Sequence, residues 1–180
     1  MSSLRETARL LDETDDNIVA CAAAYEELIA SEEATVDDRV DAAMVYWAAS
    51  DFGLAAAKRL PEGFEWHALD RWQAILTEAV RRDPTHCEAR FWEMYCMRIW
   101  FSKYPPEEIR AFLDDPGRRC EGAFATMWRI SGGDASDIAA GQSVLAEPHL
   151  RQSSKGRYIA SHVDASVRSI EARVVVPQPD

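Results

Sequence analysis

Asp83-Pro84 interrupts the most apolar part of the chain, and that interruption constrains the fold more than any other feature. Proline has no N–H to donate and disfavours the α conformation in the residue before it, so a helix reaching Asp83 ends there. On the near side, Leu69, Trp72, Ile75, Leu76, Ala79 and Val80 recur at three- and four-residue spacing, which predicts a helix over Trp66 to Arg82. On the far side, Phe91, Trp92, Met94, Tyr95, Cys96, Met97, Ile99, Trp100 and Phe101 crowd into about three turns. A helix that is apolar on nearly every side belongs near the middle of a domain, because one neighbour cannot cover it.

The same periodicity runs through the rest of the chain. Leu4, Ala8 and Leu11 predict a short first helix that ends at the acidic cluster Asp12, Glu13, Asp15, Asp16, a group read as solvated helix ends. Ile18, Cys21, Ala22, Tyr25, Leu28 and Ile29 predict a second helix. Thr35 with Asp38 three residues on forms a capping pair for a third, whose apolar rows run to Leu54 and Ala56 before Pro61 and Gly63. Pro106 opens a helix bearing Ile109, Phe112 and Leu113. Cys120, Phe124, Met127 and Trp128 mark another, and Asp134 is placed to cap a helix over Ala135 to Ala146. Ile159, Val163, Val167 and Ile170 predict the last one. Together these give an all-α fold of about eight helices, a bundle or irregular helical repeat, in a single domain over 1–173 with a tail over 174–180.

Charge is unevenly spread. Of a net −11, residues 1–70 carry 16 acidic against 5 basic side chains, whereas residues 71–180 are balanced at 15 and 15. An acidic N-terminal lobe over about 1–70 repels phosphate backbones and anionic lipid and steers basic partners, so nucleic acid and membrane surfaces are excluded as expected partners. Plain solubility is the alternative meaning of such an excess. No run of about eighteen apolar residues occurs and the N-terminus carries no charged-then-apolar leader pattern, so a cytoplasmic protein is expected. Cys21, Cys87, Cys96 and Cys120 have no Cys-x-x-Cys spacing and read as reduced, buried thiols.

Ala79, Asp83-Pro84 and Glu88-Ala89, followed by aromatic residues, resemble the junction between two tetratricopeptide repeats, where one helix closes on an alanine and an Asp-Pro turn opens the next. The likeness covers roughly residues 72 to 104, and the chain departs from the pattern at Trp72, Glu93, Met94 and Pro106. It implies stacked helical hairpins and a scaffold that takes a protein segment in a concave groove, with no catalysis.

Motifs of chemistry are few. The histidines His67, His86, His149 and His162 form no Glu-x-x-His or His-x-x-x-His pair, and neither a phosphate loop nor a nucleophile elbow occurs, so no catalytic, metal or cofactor residue is assigned. The acidic clusters match the metal segments of all-helical prenyl-diphosphate enzymes only loosely. Arg98, inside an apolar helix, is expected to pair with a carboxylate of the chain or of a partner. Arg151, Ser153, Ser154, Lys155, Gly156 and Arg157 form the one basic patch, expected in an exposed connector and able to bind phosphate or an acidic segment of a partner, including that of a second copy in a homo-oligomer. The expected function is a protein–protein interaction module: an adaptor, or an inhibitor or immunity protein for a basic partner. Its binding residues would be Trp92, Tyr95, Arg98 and Trp100 on the aromatic helix. The alternative is a small all-helical enzyme or ligand-binding protein with a Trp-lined pocket.

Overall fold

The computed structural model describes residues 3–51, 58, 60–118 and 120–175. Nine α-helices occur among them, with two 3-10 turns and no strand: α1 (Leu4–Thr14), α2 (Ile18–Ala30), α3 (Val36–Ala49), α4 (Phe64–Arg82), α5 (Cys87–Phe101), α6 (Pro106–Leu113), α7 (Ala123–Ser131), α8 (Ile138–Leu145) and α9 (Ser154–Val175). None is long and apolar enough to cross a membrane. The all-α class and the breaks at Asp83-Pro84 and Pro105-Pro106 follow the sequence.

Local chemistry explains most boundaries. Ser3 and Asn17 accept hydrogen bonds from the backbone N–H of Glu6 and Ala20, satisfying donors that the first turns of α1 and α2 leave open. Thr35 and Asp38 form the full capping box of α3. His86 caps α5 through Nδ1, which accepts from the Ala89 N–H at 3.2 Å. Pro106 occupies the first turn of α6.

Several expectations are corrected. Helix α3 stops at Ala49, where Ser50 closes it with its N–H and hydroxyl on the Tyr46 and Trp47 carbonyls; the predicted continuation through Leu54 and Ala56 lies outside the described residues. Asp134 caps a 3-10 turn, Ala135–Asp137, rather than the expected helix, which starts only at Ile138. Helix α9 runs through Val174 and Val175, into the predicted tail. Cys87 and Cys120 are not free thiols: they form a disulfide with Cα atoms 5.4 Å apart, tying the start of α5 to the segment before α7. Cys21 and Cys96 remain buried thiols, as expected, and burial pushes Cys21 up to about 12.

The first five helices run up and down. Arg39 Nη2 donates to the Ile29 carbonyl at 3.0 Å, setting the start of α3 beside the end of α2, and Tyr46 stacks with Phe64, setting the end of α3 beside the start of α4. His86 lies 3.1 Å from Asp37, and Trp47 meets Trp100 edge-on at 6.5 Å. Thus α3 and α5 are parallel, with their starts together and their ends together. Helix α9 starts against the same two helices and then runs on along α7 and α8, with Val163 and Val167 beside Gly141 and Ile130. Lys155 reaches Asp41 of α3 and Glu88 of α5, and one turn further Tyr158 packs on Trp47 and Tyr95. Ile159, Val163, Val167 and Ile170, the predicted stripe, are all buried.

Entry into α9 demands glycine. A Cβ on Gly156 would lie 1.5 Å from the Leu150 carbonyl oxygen, whereas one on Gly141 would lie 2.5 Å from Ile130 Cδ1, the end of a side chain that can turn. Gly156→Ala is expected to cost roughly 3 kcal/mol or more in urea unfolding, and Gly141→Ala less. Asp38 supplies a pH test. Burial alone would raise its carboxyl, yet hydrogen bonds from Arg5 and Thr35 outweigh it and hold the group at about 2. A depressed carboxylate stabilises the fold fully above its unfolded value and loses that contribution as pH falls through the folded one. Between about pH 4 and pH 2, wild type should therefore lose more stability, by urea midpoint, than Asp38→Asn does.

Candidate functional site

The aromatic helix α5 is buried from Ala89 to Cys96, whereas Ile99 and Phe101 at its end are exposed. Trp92 is fully buried, its indole N–H donating to Glu88 Oε1 at 3.1 Å, and Tyr95 shares a 2.7 Å hydrogen bond with the Tyr158 hydroxyl of α9. Burial raises both phenols above the usual tyrosine range. The face that the sequence offered as a groove is thus covered by the chain's own last helix. Arg98 is half-buried and donates through Nη1 to the Tyr104 carbonyl at 3.2 Å, so the hydrogen bond in view goes to backbone rather than to the expected carboxylate.

Polar contacts hold α9 in place, and they use the basic patch. The expected exposed connector is instead a 3-10 turn, Leu150–Gln152, followed by the first turn of α9. The Asp12 carboxylate, 2 % exposed, accepts from the Ser154 N–H at 2.8 Å and from the Ser154 hydroxyl at 2.7 Å. Its negative charge sits where a helix N-terminus has unpaired N–H groups. Arg157 donates to Asp12 Oδ1 at 3.0 Å and to Asp15 Oδ1 at 3.2 Å, and Lys58 reaches Asp15 Oδ2 at 2.6 Å. Asp15 has a left-handed backbone (φ 53°), a conformation aspartate tolerates better than most residues, and closes α1 with its carboxylate between the two cations. Lys155 lies 2.8 Å from Asp41 and 3.1 Å from Glu88. Burial disfavours its ammonium, but the two carboxylates outweigh burial and hold its pKa above the usual lysine value. The basic patch therefore meets the acidic lobe of its own chain. Asp12 is a buried anchor rather than a solvated helix end.

A cleft opens where α9 leaves the C-terminal end of α5. It encloses about 800 Å³, with Ile18, Trp47, Trp100 and Tyr158 forming an apolar wall and Asp15, Lys58, Arg157 and His162 a polar one. Ile99 lines it as well, 54 % exposed, and Phe101, 49 % exposed, lies two residues on. His162 stacks on Tyr158 with ring centroids 4.1 Å apart. Of the four binding residues the sequence suggested, Trp100 lines this cleft, Trp92 and Tyr95 sit behind its wall, and Arg98 is engaged at the backbone of Tyr104. Sequence reasoning missed Tyr158 altogether. Among the described residues no group of three or more His, Cys, Asp or Glu side chains is placed to hold a metal ion.

No family model matches the chain, and comparisons with curated proteins and with solved structures returned no match. The tetratricopeptide likeness rests on the residues of one junction, where α4 and α5 do form a hairpin: Trp72 of α4 packs 6.4 Å from Phe101 at the far end of α5.

Breaking a buried ion pair from one side leaves an uncompensated charge. Lys155→Met is expected to cost roughly 3–5 kcal/mol of unfolding free energy. Adding Asp41→Asn should recover part of that loss, and a double-mutant cycle by urea denaturation measures the recovery.

Proposed function

We propose that the protein works by binding another protein, seating an apolar or aromatic group of its partner in the cleft between α3, α5 and α9. The observation that carries this reading is the cleft itself: an aromatic wall of Trp47, Trp100 and Tyr158 beside exposed Ile99. Contiguous apolar surface of this kind, rimmed by polar groups, is a feature of interaction sites. Electrostatics adds direction. Glu13, Asp16, Glu27, Glu32 and Glu33 are exposed on the first two helices, the link between them and the turn after them, so the lobe next to the cleft favours a partner with a basic rim. An inhibitor or immunity protein covering a basic surface is the narrower form of the same proposal.

A second reading has its own support. A cavity of about 800 Å³ falls in the range of small-molecule sites, roughly 300–1,000 Å³, and combines apolar walls with a few polar groups. That is the geometry of a ligand-binding protein or small enzyme.

Ile99→Asp separates the two from each other and from neither, because it places a charge on the open wall at a position that is already exposed. A single partner captured by wild type, bound at least about tenfold more weakly by Ile99→Asp and shed at high salt, is the expected result. A partner held equally by the variant would move the interface off the cleft. A small molecule retained by wild type in native mass spectrometry and lost from the variant, with no protein captured, would favour the second reading.

A further inference from the structure

A second cavity lies on the other side of the Asp12 anchor, and every residue that lines it is polar. It encloses about 260 Å³ between Arg9, Asp12 and Glu13 of α1, Tyr25 of α2, Asp41 of α3, and Gln152, Ser153 and Lys155 at the start of α9. Arg9, Glu13 and Gln152 are exposed and mark its mouth; Asp12 and Tyr25 are buried and mark its floor. Two buried carboxylate oxygens here carry no hydrogen bond, Asp12 Oδ2 and Asp41 Oδ1, and the second has the Lys155 ammonium 2.8 Å away as an ion pair. Asp12 Oδ1 takes the Ser154 and Arg157 bonds, whereas Asp12 Oδ2 is buried and unpartnered. A buried carboxylate oxygen without a donor costs far more than an exposed one, so its place in a polar cavity points to a donor supplied from outside.

The local charge says what kind. Asp12, Asp15, Asp41 and Glu88 are four carboxylates joined to only three cations, Lys58, Lys155 and Arg157. At the mouth Arg9 and Glu13 offset one another. With all four carboxylates ionised the network is negative by one charge, and Asp12 and Asp41 are its members at the cavity. Tyr25 responds to the same field: burial raises its phenol, and the Asp41 and Asp12 charges raise it further. Burial likewise pushes the Asp41 carboxyl up against the pull of Lys155, with Glu88 and Asp12 adding to the rise.

We propose that this cavity is a binding site for a small cation carrying N–H donors, ammonium or the head of a primary amine, held between Asp12 Oδ2, Asp41 and the Tyr25 ring. Such a cation supplies the donor that Asp12 Oδ2 needs and the positive charge that the network lacks. Its several N–H groups can reach Asp12 and Asp41 together, and the volume leaves room for waters, at ~30 Å³ each, around it. Lys155 does not fill this role because Asp41 and Glu88 already engage its ammonium.

Thermal unfolding in ammonium, methylammonium, sodium and tetramethylammonium chlorides, at equal ionic strength and neutral pH, tests the site. Ammonium and methylammonium at about 100 mM should raise the melting temperature saturably by about 2–4 °C over sodium. Tetramethylammonium, which has no N–H, should not. Asp41→Asn should remove the difference. A signal from isotope-labelled ammonium protected in the wild-type protein, seen by proton–nitrogen correlation, gives a readout that needs no variant. Equal melting in all four salts with no protected signal would overturn the proposal and leave ordered water in the cavity. So would an ammonium effect that survives in a folded Asp41→Asn.

Discussion

The Asp12 carboxylate at the start of α9 is the contact on which the arrangement of this molecule depends. It joins residues 142 positions apart in the chain, and it does so with a charge that answers an existing need, the open N–H groups of a helix N-terminus. Arg157 and Lys155 extend the junction to α1, α3 and α5. Buried charges of this kind add little net stability over apolar packing, because desolvation offsets most of their attraction. They add registry. With Lys155 between Asp41 and Glu88, Tyr158 one turn later meets Tyr95, and the buried stripe from Ile159 to Ile170 reaches α7 and α8. A shift of α9 by one residue would break every one of these contacts at once.

How much of this was legible in the sequence follows from the range of each interaction. Caps, proline breaks and apolar stripes act over three to seven residues, so the helices of Thr35, Asp83-Pro84 and Pro106 were readable, as was the stripe on α9. The pairing of Asp12 with Arg157 was not. Acidic cluster and basic patch were both visible, but each by itself has the composition of a solvated surface, and nothing in a single sequence says that one will be folded onto the other. The disulfide was missed for the same reason: Cys87 and Cys120 are 33 residues apart, and only the turn of α5 into α6 brings them together. Asp134 misled because a good cap is as effective for a 3-10 turn as for an α-helix.

The site was half legible for a related reason. Aromatic density marked α5 as central, yet α3 is the more buried helix, and on α5 the same density serves the core and the cleft wall alike. Trp92 and Trp100 are eight residues apart on one helix, yet Trp92 is fully buried against Tyr158 and Trp100 lines the cleft.

Native-state hydrogen exchange of the wild-type protein tests this account most directly, because it reports whether α9 belongs to the same cooperative unit as the helices beneath it. The amides from Tyr158 to Ile170 should exchange as slowly as those of α3 and α5, and under rising denaturant they should open together with them. Exchange of α9 well before α3 and α5 would contradict the account: the last helix would then be a detachable cover, and the aromatic face of α5 the binding surface after all.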